Sequence, residues 1–204
     1  MCFGESPIEL IGEVRQPIPA RSGQIERYDC EYRAMGRRTC SSSLMCTLWR
    51  KVKVTERRAA EDFAACMREL ADVHYPRAER IRVVLDNLST HSAGALYQSL
   101  PACEARRVLR QLEFHHVPTH ASWLDMVEIE IAVLAKQCLD RRIKSGAKLA
   151  GETAAWEKQR NAARARIKRM FTPDKARARM RRAYPKLDAK SASSQRVKTS
   201  VQRY

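Results

Sequence analysis

Two short segments concentrate the residue types that can do chemistry, Val84-Leu85-Asp86-Asn87-Leu88-Ser89-Thr90-His91 and Ser122-Trp123-Leu124-Asp125-Met126-Val127-Glu128-Ile129-Glu130. The first reads as the end of a buried strand, Ile81 to Leu85, handing over to an acid and a turn. The second reads as the start of an apolar helix with acids in its first two turns. Carboxylates at a strand end and a helix start, brought together, suit a divalent cation held against phosphate. Mg²⁺ and Mn²⁺ prefer carboxylate oxygens. Two such ions about 3.5–4 Å apart activate the attacking oxygen and stabilise the leaving oxygen of a phosphodiester. Three acids are the natural minimum for that site. Taken alone, Asp86 is equally a turn or capping residue. On a helical wheel Trp123, Val127, Ile131, Leu134 and Cys138 form the apolar stripe, with Glu128 and Glu130 on opposite flanks. Only one of the two is expected to face Asp86, and periodicity does not choose between them.

The elements that must position these residues follow an α/β order. Residues 2–4 are expected to form a very short first strand, and residues 15–23 a loop with Pro17, Pro19 and Gly23. Strands are expected near Ser43–Cys46 and Trp49–Thr55, the second alternating Val52 and Val54 with Lys51 and Lys53. A helix over 59–73 carries Phe63, Met67 and Leu70 on one face. After the Ile81–Leu85 strand, 92–110 gives one or two helices broken at Pro101, and Leu112–Val117 a further strand. Trp123–Ile143 is the strongest helix, followed by basic helices over 147–169 and 173–183, the latter opened by Thr172 before Pro173. The tail from Lys186 is rich in Ser, Lys and Ala and reads as disordered.

Charge divides the chain. Residues 1–140 hold 19 basic and 19 acidic side chains, whereas 141–204 hold 20 and 4, so the net +16 lies in the last third. Arg164, Arg166, Lys168, Arg169 and Arg177, Arg179, Arg181, Arg182 form clusters suited to a polyanion. The same clusters also suit a solvated helical face. No stretch approaches the roughly 18 apolar residues of a membrane span, and no signal segment is visible. The seven cysteines are scattered without a C-x-x-C pair. That spacing favours reduced thiols of the cytosol over a disulfide framework or a zinc ribbon. His115, His116 and His120 match no common zinc spacing.

Matches strung in order over the chain up to Pro185 resemble the DDE transposases, and more narrowly the mariner-related insertion sequence 630 family. They include Arg27-Tyr28-Asp29-Cys30-Glu31-Tyr32, Asp72-Val73-His74-Tyr75-Pro76, Leu112-Glu113-Phe114-His115-His116, Gln137-Cys138-Leu139-Asp140-Arg141-Arg142-Ile143, Arg160-Asn161 and Ala183-Tyr184-Pro185. The resemblance implies a ribonuclease H-like mixed sheet flanked by helices over residues 1–143. A basic helical extension over 144–185 and a disordered basic tail over 186–204 would follow. It implies a two-metal Mg²⁺ or Mn²⁺ site, with Asp86 as second acid and Glu128 of Leu124-Asp125-Met126-Val127-Glu128 as third. Asn87, His91, His120 and Trp123 would support them. The implied activity is cleavage and strand transfer of double-stranded DNA at transposon ends, in a bacterial cytoplasm at the nucleoid, with a homodimer expected.

The departures carry as much weight. The family's first acid lies in a Cys-hydrophobic-Asp-Glu sequence, which here is Cys2-Phe3-Gly4-Glu5. Gly4 offers no ligand; Glu5 is a possible substitute, although adjacent residues on a strand point to opposite faces. Asp125 stands where the family has Asn, adding an acid that is a possible substitute, and Thr119 replaces a usual Lys. The helix-turn-helix domains that precede the catalytic core in this family have no counterpart before Gly4. The expectation is therefore a truncated DDE domain with activity absent or severely reduced. The alternative is a non-catalytic DNA-binding remnant.

Overall fold

The computed structural model describes residues 1–45, 49–57, 59–119, 121–167 and 172–180. Five strands form one mixed sheet in the order β3-β2-β1-β4-β5. They are β1 Cys2–Glu13, β2 Tyr32–Met45, β3 Trp49–Thr55, β4 Ile81–Leu85 and β5 Leu112–His116. The first three are antiparallel neighbours, and β4 and β5 run parallel to β1. Helices cover both faces, so the α/β architecture is that of a ribonuclease H-like fold.

On one face α1 (Ala60–Glu69), α2 (Ala93–Ser99) and α3 (Ala102–Gln111) close a core of Phe3, Phe63, Met67, Leu70, Val83, Leu85, Leu96 and Val108. On the other face lie α4 (Met126–Leu134) and α5 (Gly146–Ala162). There Leu10, Cys40 and Val52 meet Leu134, Cys138, Leu149 and Trp156, and Cys2 and Leu44 meet Val127. The expected helix over 59–73 is α1 continued by a wide-turned segment, Leu70–His74. The break at Pro101 separates α2 from α3 as the sequence implies.

Three expectations are corrected. β1 is 12 residues long rather than three, because it pairs along nearly its whole length with the 14-residue β2. Backbone pairing extends it through Pro7 and Gly12, residues that usually punctuate a strand. The helix expected from Trp123 begins at Met126, since Asp125 is extended (φ −73°, ψ 125°) and a 3₁₀ turn, Ser122–Leu124, precedes it. The helical phase therefore does not reach back to Trp123, which is 38 % exposed instead of buried in the stripe.

The chain divides into two compact units, Met1–Ile167 and Lys168–Tyr204. The first includes α5, which docks on the sheet through buried Leu149, Thr153 and Trp156. In the second, α6 (Pro173–Arg179) starts at Thr172, whose hydroxyl accepts the Lys175 N–H, with proline in its first turn. The expected tail over 186–204 lies outside the described residues. Among the described residues no helix is long and apolar enough to cross a membrane.

Candidate active site

The site starts from a register. Cys2 of β1 pairs with Val84 of the parallel β4, so two residues further on Gly4 lies level with Asp86. Both positions sit at the centre of the sheet, where β1 is buried on both faces. Phe3 and Glu5 face α1 and α2, and Gly4 faces α4. A Cβ built on Gly4 would lie 2.7 Å from Val127 Cγ1 and 3.4 Å from Ile131 Cδ1. Glycine thus lets the helix carrying Glu128 press against the strand backbone.

Asp86 leaves β4 into a tight turn. Its Oδ1 accepts the Leu88 N–H at 3.3 Å and lies 2.5 Å from His91 Nδ1. The next residue, Asn87, donates from Nδ2 to the Val117 carbonyl at 2.6 Å, tying the turn to the end of β5. The Asp86 side chain remains 18 % exposed, at the edge of the crevice.

His91 is wholly buried, with its ring stacked on Phe63 at 4.9 Å and edge-on to Phe3 at 5.3 Å. Its Nε2 lies 3.5 Å from Glu5 Oε2, an ion-pair distance without hydrogen-bond alignment. Glu5 in turn accepts from the Ser41 hydroxyl on β2 at 3.3 Å. Burial pulls the His91 pKa down, but the interactions with Asp86 and Glu5 outweigh it and the net shift is upward. Glu5 is therefore placed on the face away from Gly4 and is engaged with His91. The histidine at this spacing links β4 to β1 rather than only filling space.

Asp125 caps α4. Its Oδ1 accepts the Val127 N–H at 3.1 Å, and the residue is 2 % exposed. Burial raises its pKa to about 6; the Val127 N–H and the Cys2 thiol oppose the rise, and the charges of Glu128 and Asp86 add to it. Glu128 stands half-buried in the first turn of α4. The structure thus brings Asp86, Asp125 and Glu128 close enough for Asp125 to feel the other two charges. Asp125 spends an oxygen on the helix cap.

Glu130, the acid on the other flank of the helix, has a different setting. It is 3 % exposed and lies between two guanidiniums, with Arg50 Nε at 2.8 Å and Arg160 Nε at 2.7 Å. Asn161 receives the Arg50 N–H at 3.0 Å and donates to the Arg50 carbonyl at 2.9 Å, and the Arg50 guanidinium reaches the Ala165 carbonyl. Arg50 was missed in the sequence. It shares the parity of Val52 and Val54, whose alternation marks the inward face of β3.

Of the predicted supports, Asn87 and His91 hold the Asp86 turn, Trp123 is at the surface, and His120 lies outside the described residues. Arg164, Arg166, Arg177 and Arg179 are exposed, and Lys168, Arg169, Arg181 and Arg182 lie outside the described residues. Among the described residues no three His, Cys, Asp or Glu side chains converge to hold a metal ion. Asp86 and Glu128, with Asp125 buried and committed to the helix cap, do not make the three-carboxylate set that a two-ion site needs, so no step through a metal follows from this geometry.

No curated protein and no solved structure matches the chain. The profile of the DDE superfamily endonucleases matches residues 1–150, from Gly4 through Asp86 and Glu128 into α5. With a ribonuclease H-like sheet, an acid at the end of β4 and another at the start of α4, the chain belongs to the DDE superfamily endonuclease family.

Proposed function

We propose that this chain is the catalytic domain of an insertion-sequence transposase of the mariner-related insertion sequence 630 group, disabled at its first acid. The ancestral reaction would be metal-dependent cleavage of double-stranded DNA at element ends, followed by attack of the freed 3′-hydroxyl on target DNA. Asp86 and Glu128 would be the surviving acids, with Mg²⁺ or Mn²⁺ as the cofactor that the family implies. One observation carries the loss of activity: the first-acid position beside Asp86 is Gly4, and Val127 Cγ1 fills the space its side chain would need. The exposed Arg164, Arg166, Arg177 and Arg179 support retained contact with the phosphate backbone.

The test is Mn²⁺-dependent nicking of supercoiled plasmid by three proteins: the chain as written, Gly4→Asp, and Gly4→Asp with Val127→Ala. Asp86→Ala in the last background controls for contaminating nuclease. The expected result is nicking by the double variant alone, lost again with Asp86→Ala. Equal nicking by the unaltered chain would overturn the disabled-enzyme reading. Silence from all three, with plasmid still bound, would leave a non-catalytic DNA-binding remnant.

A further inference from the structure

The crevice contains a buried ionisable chain that the DDE chemistry does not itself require. Glu5 on β1, His91 in the turn after β4, and Asp86 at the end of β4 lie in sequence. Nε2 of the imidazole is 3.5 Å from one carboxylate and Nδ1 is 2.5 Å from the other. The Glu5 side chain is 1 % exposed and His91 0 %. Burying two ionisable groups is costly, and well-packed apolar residues at such sites are often as stable or more so. Here Phe3 and Phe63 already form the apolar wall on which the ring stacks, so a third aromatic at 91 would satisfy packing alone. What packing does not explain is that each ring nitrogen lies within 3.5 Å of an acid, one of these acids being the proposed second catalytic acid.

The fold makes this link through the sheet. Glu5 is fixed by pairing with Ser41 and by the Ser41 hydroxyl. His91 is fixed by its N–H to the Leu88 carbonyl, and His116 Nε2 lies 3.0 Å from its own carbonyl. Asp86 Oδ1 thus meets an imidazole packed against Phe3 and Phe63, in addition to the Leu88 N–H. We propose that Glu5 and His91 are positioning residues for Asp86, with Glu5 orienting the imidazole and the imidazole fixing the carboxylate at the mouth of the crevice. Carboxylates that hold metal ions are in general oriented by such outer hydrogen bonds, whose loss typically costs about 10–100-fold in metal affinity or activity. The proposal rests on Asp86 being the second acid. It gives Glu5 a role other than substitute ligand.

The test uses the whole chain with ¹³C-carboxyl-labelled Asp and ¹⁵N-labelled His. Glu5→Gln is expected to move both the His91 ring nitrogens and the Asp86 carboxyl resonance. Glu9→Gln, on the same strand but exposed and paired with Arg37 at 2.9 Å, is expected to move neither. In a His91→Phe background, which keeps a ring between Phe3 and Phe63, Glu5→Gln should no longer reach Asp86. Loss of transmission through His91 supports the proposal, because a merely structural role for Glu5 would not depend on ring nitrogens. An Asp86 resonance unmoved by Glu5→Gln, or moved equally in the His91→Phe background, would overturn it. A functional arm separates this from failure of the nuclease reading. In the Gly4→Asp, Val127→Ala protein, Glu5→Gln should lower Mn²⁺ affinity by about 10–100-fold with little change in unfolding midpoint. Absence of any Mn²⁺ binding or nicking by that protein, with carboxyl transmission intact, would reject the nuclease reading and leave the positioning geometry standing.

Discussion

The two flanks of α4 present acids two residues apart in opposite circumstances. On one flank Glu130 lies between Arg50 and Arg160, with Asn161 bracing Arg50. On the other, Asp125 and Glu128 begin the helix beside Asp86, and the charges of Glu128 and Asp86 both disfavour ionisation of Asp125. Buried carboxylates are ordinarily matched by cations, as Glu130 is. Acids that crowd one another instead mark a place where charge was arranged for an ion or a substrate. Glu130 holds α4 and α5 to β3, whereas Glu128 stands on the flank where its charge and that of Asp86 bear on Asp125.

The largest expected effect comes from breaking the matched flank. Glu130→Ala leaves Arg50, 1 % exposed, without its carboxylate, which costs about 3–5 kcal/mol when a buried pair loses one partner. Urea denaturation should show it as a lower midpoint. Joint replacement, Arg50→Met with Glu130→Leu, should recover most of that stability, because neither charge is then stranded. A small effect of Glu130→Ala would mean that the two flanks are not different in kind.

The crowded flank should respond in the opposite direction. Asp125→Asn keeps the oxygen that caps α4 and removes a carboxyl whose pKa is raised to about 6. An acid with a raised folded pKa binds more protons folded than unfolded between the two values. Stability therefore falls as pH rises through that window. Below pH about 4 the aspartate costs nothing; above pH about 6 the whole penalty is present. Asp125→Asn is expected to stabilise by on the order of 2 kcal/mol at pH 7 and by almost nothing at pH 4. Thermal melts of both proteins across that range check it, and a gain independent of pH would point to capping rather than charge.

These contrasts also show what the sequence made legible. The strand at Ile81–Leu85 and the helix break at Pro101 follow from local pattern and match the structure. β1 was underestimated because its outer half is held by pairing with β2, not by an apolar run, and Pro7 and Gly12 interrupt the pattern. Trp123 was misplaced because a helical wheel extends a phase through Asp125 that the backbone does not keep. The parity of Arg50 with Val52 and Val54 was readable, but its partners on α4 and α5 were not, since they come from 80 and more residues away. The Glu5–His91–Asp86 chain was equally out of reach: its members were named singly, and only the pairing of β1 with β4 lines them up.

The smallest effect tests how closely the crowded flank has settled onto β1. Replacing a strand glycine by alanine ordinarily helps, by about 0.4–1 kcal/mol, through a less free unfolded chain. At Gly4 the new Cβ meets Val127 Cγ1 at 2.7 Å, and overpacking a filled core costs about 1–3 kcal/mol. The β-branched Val127 is stiff at χ1 and 1 % exposed, so it has little room to turn aside. Gly4→Ala should therefore destabilise by about 1 kcal/mol net. Gly151→Ala is the contrast, because its Cβ on the exposed side of α5 would meet nothing within 4 Å. It should stabilise by up to about 1 kcal/mol, as alanine for glycine does in a helix interior. Denaturation midpoints moving in opposite directions would show α4 seated in the space that a side chain at position 4 needs. A Gly4→Ala protein as stable as the original would mean that the crevice can open to readmit an aspartate, and Gly4→Asp would then need no change at Val127.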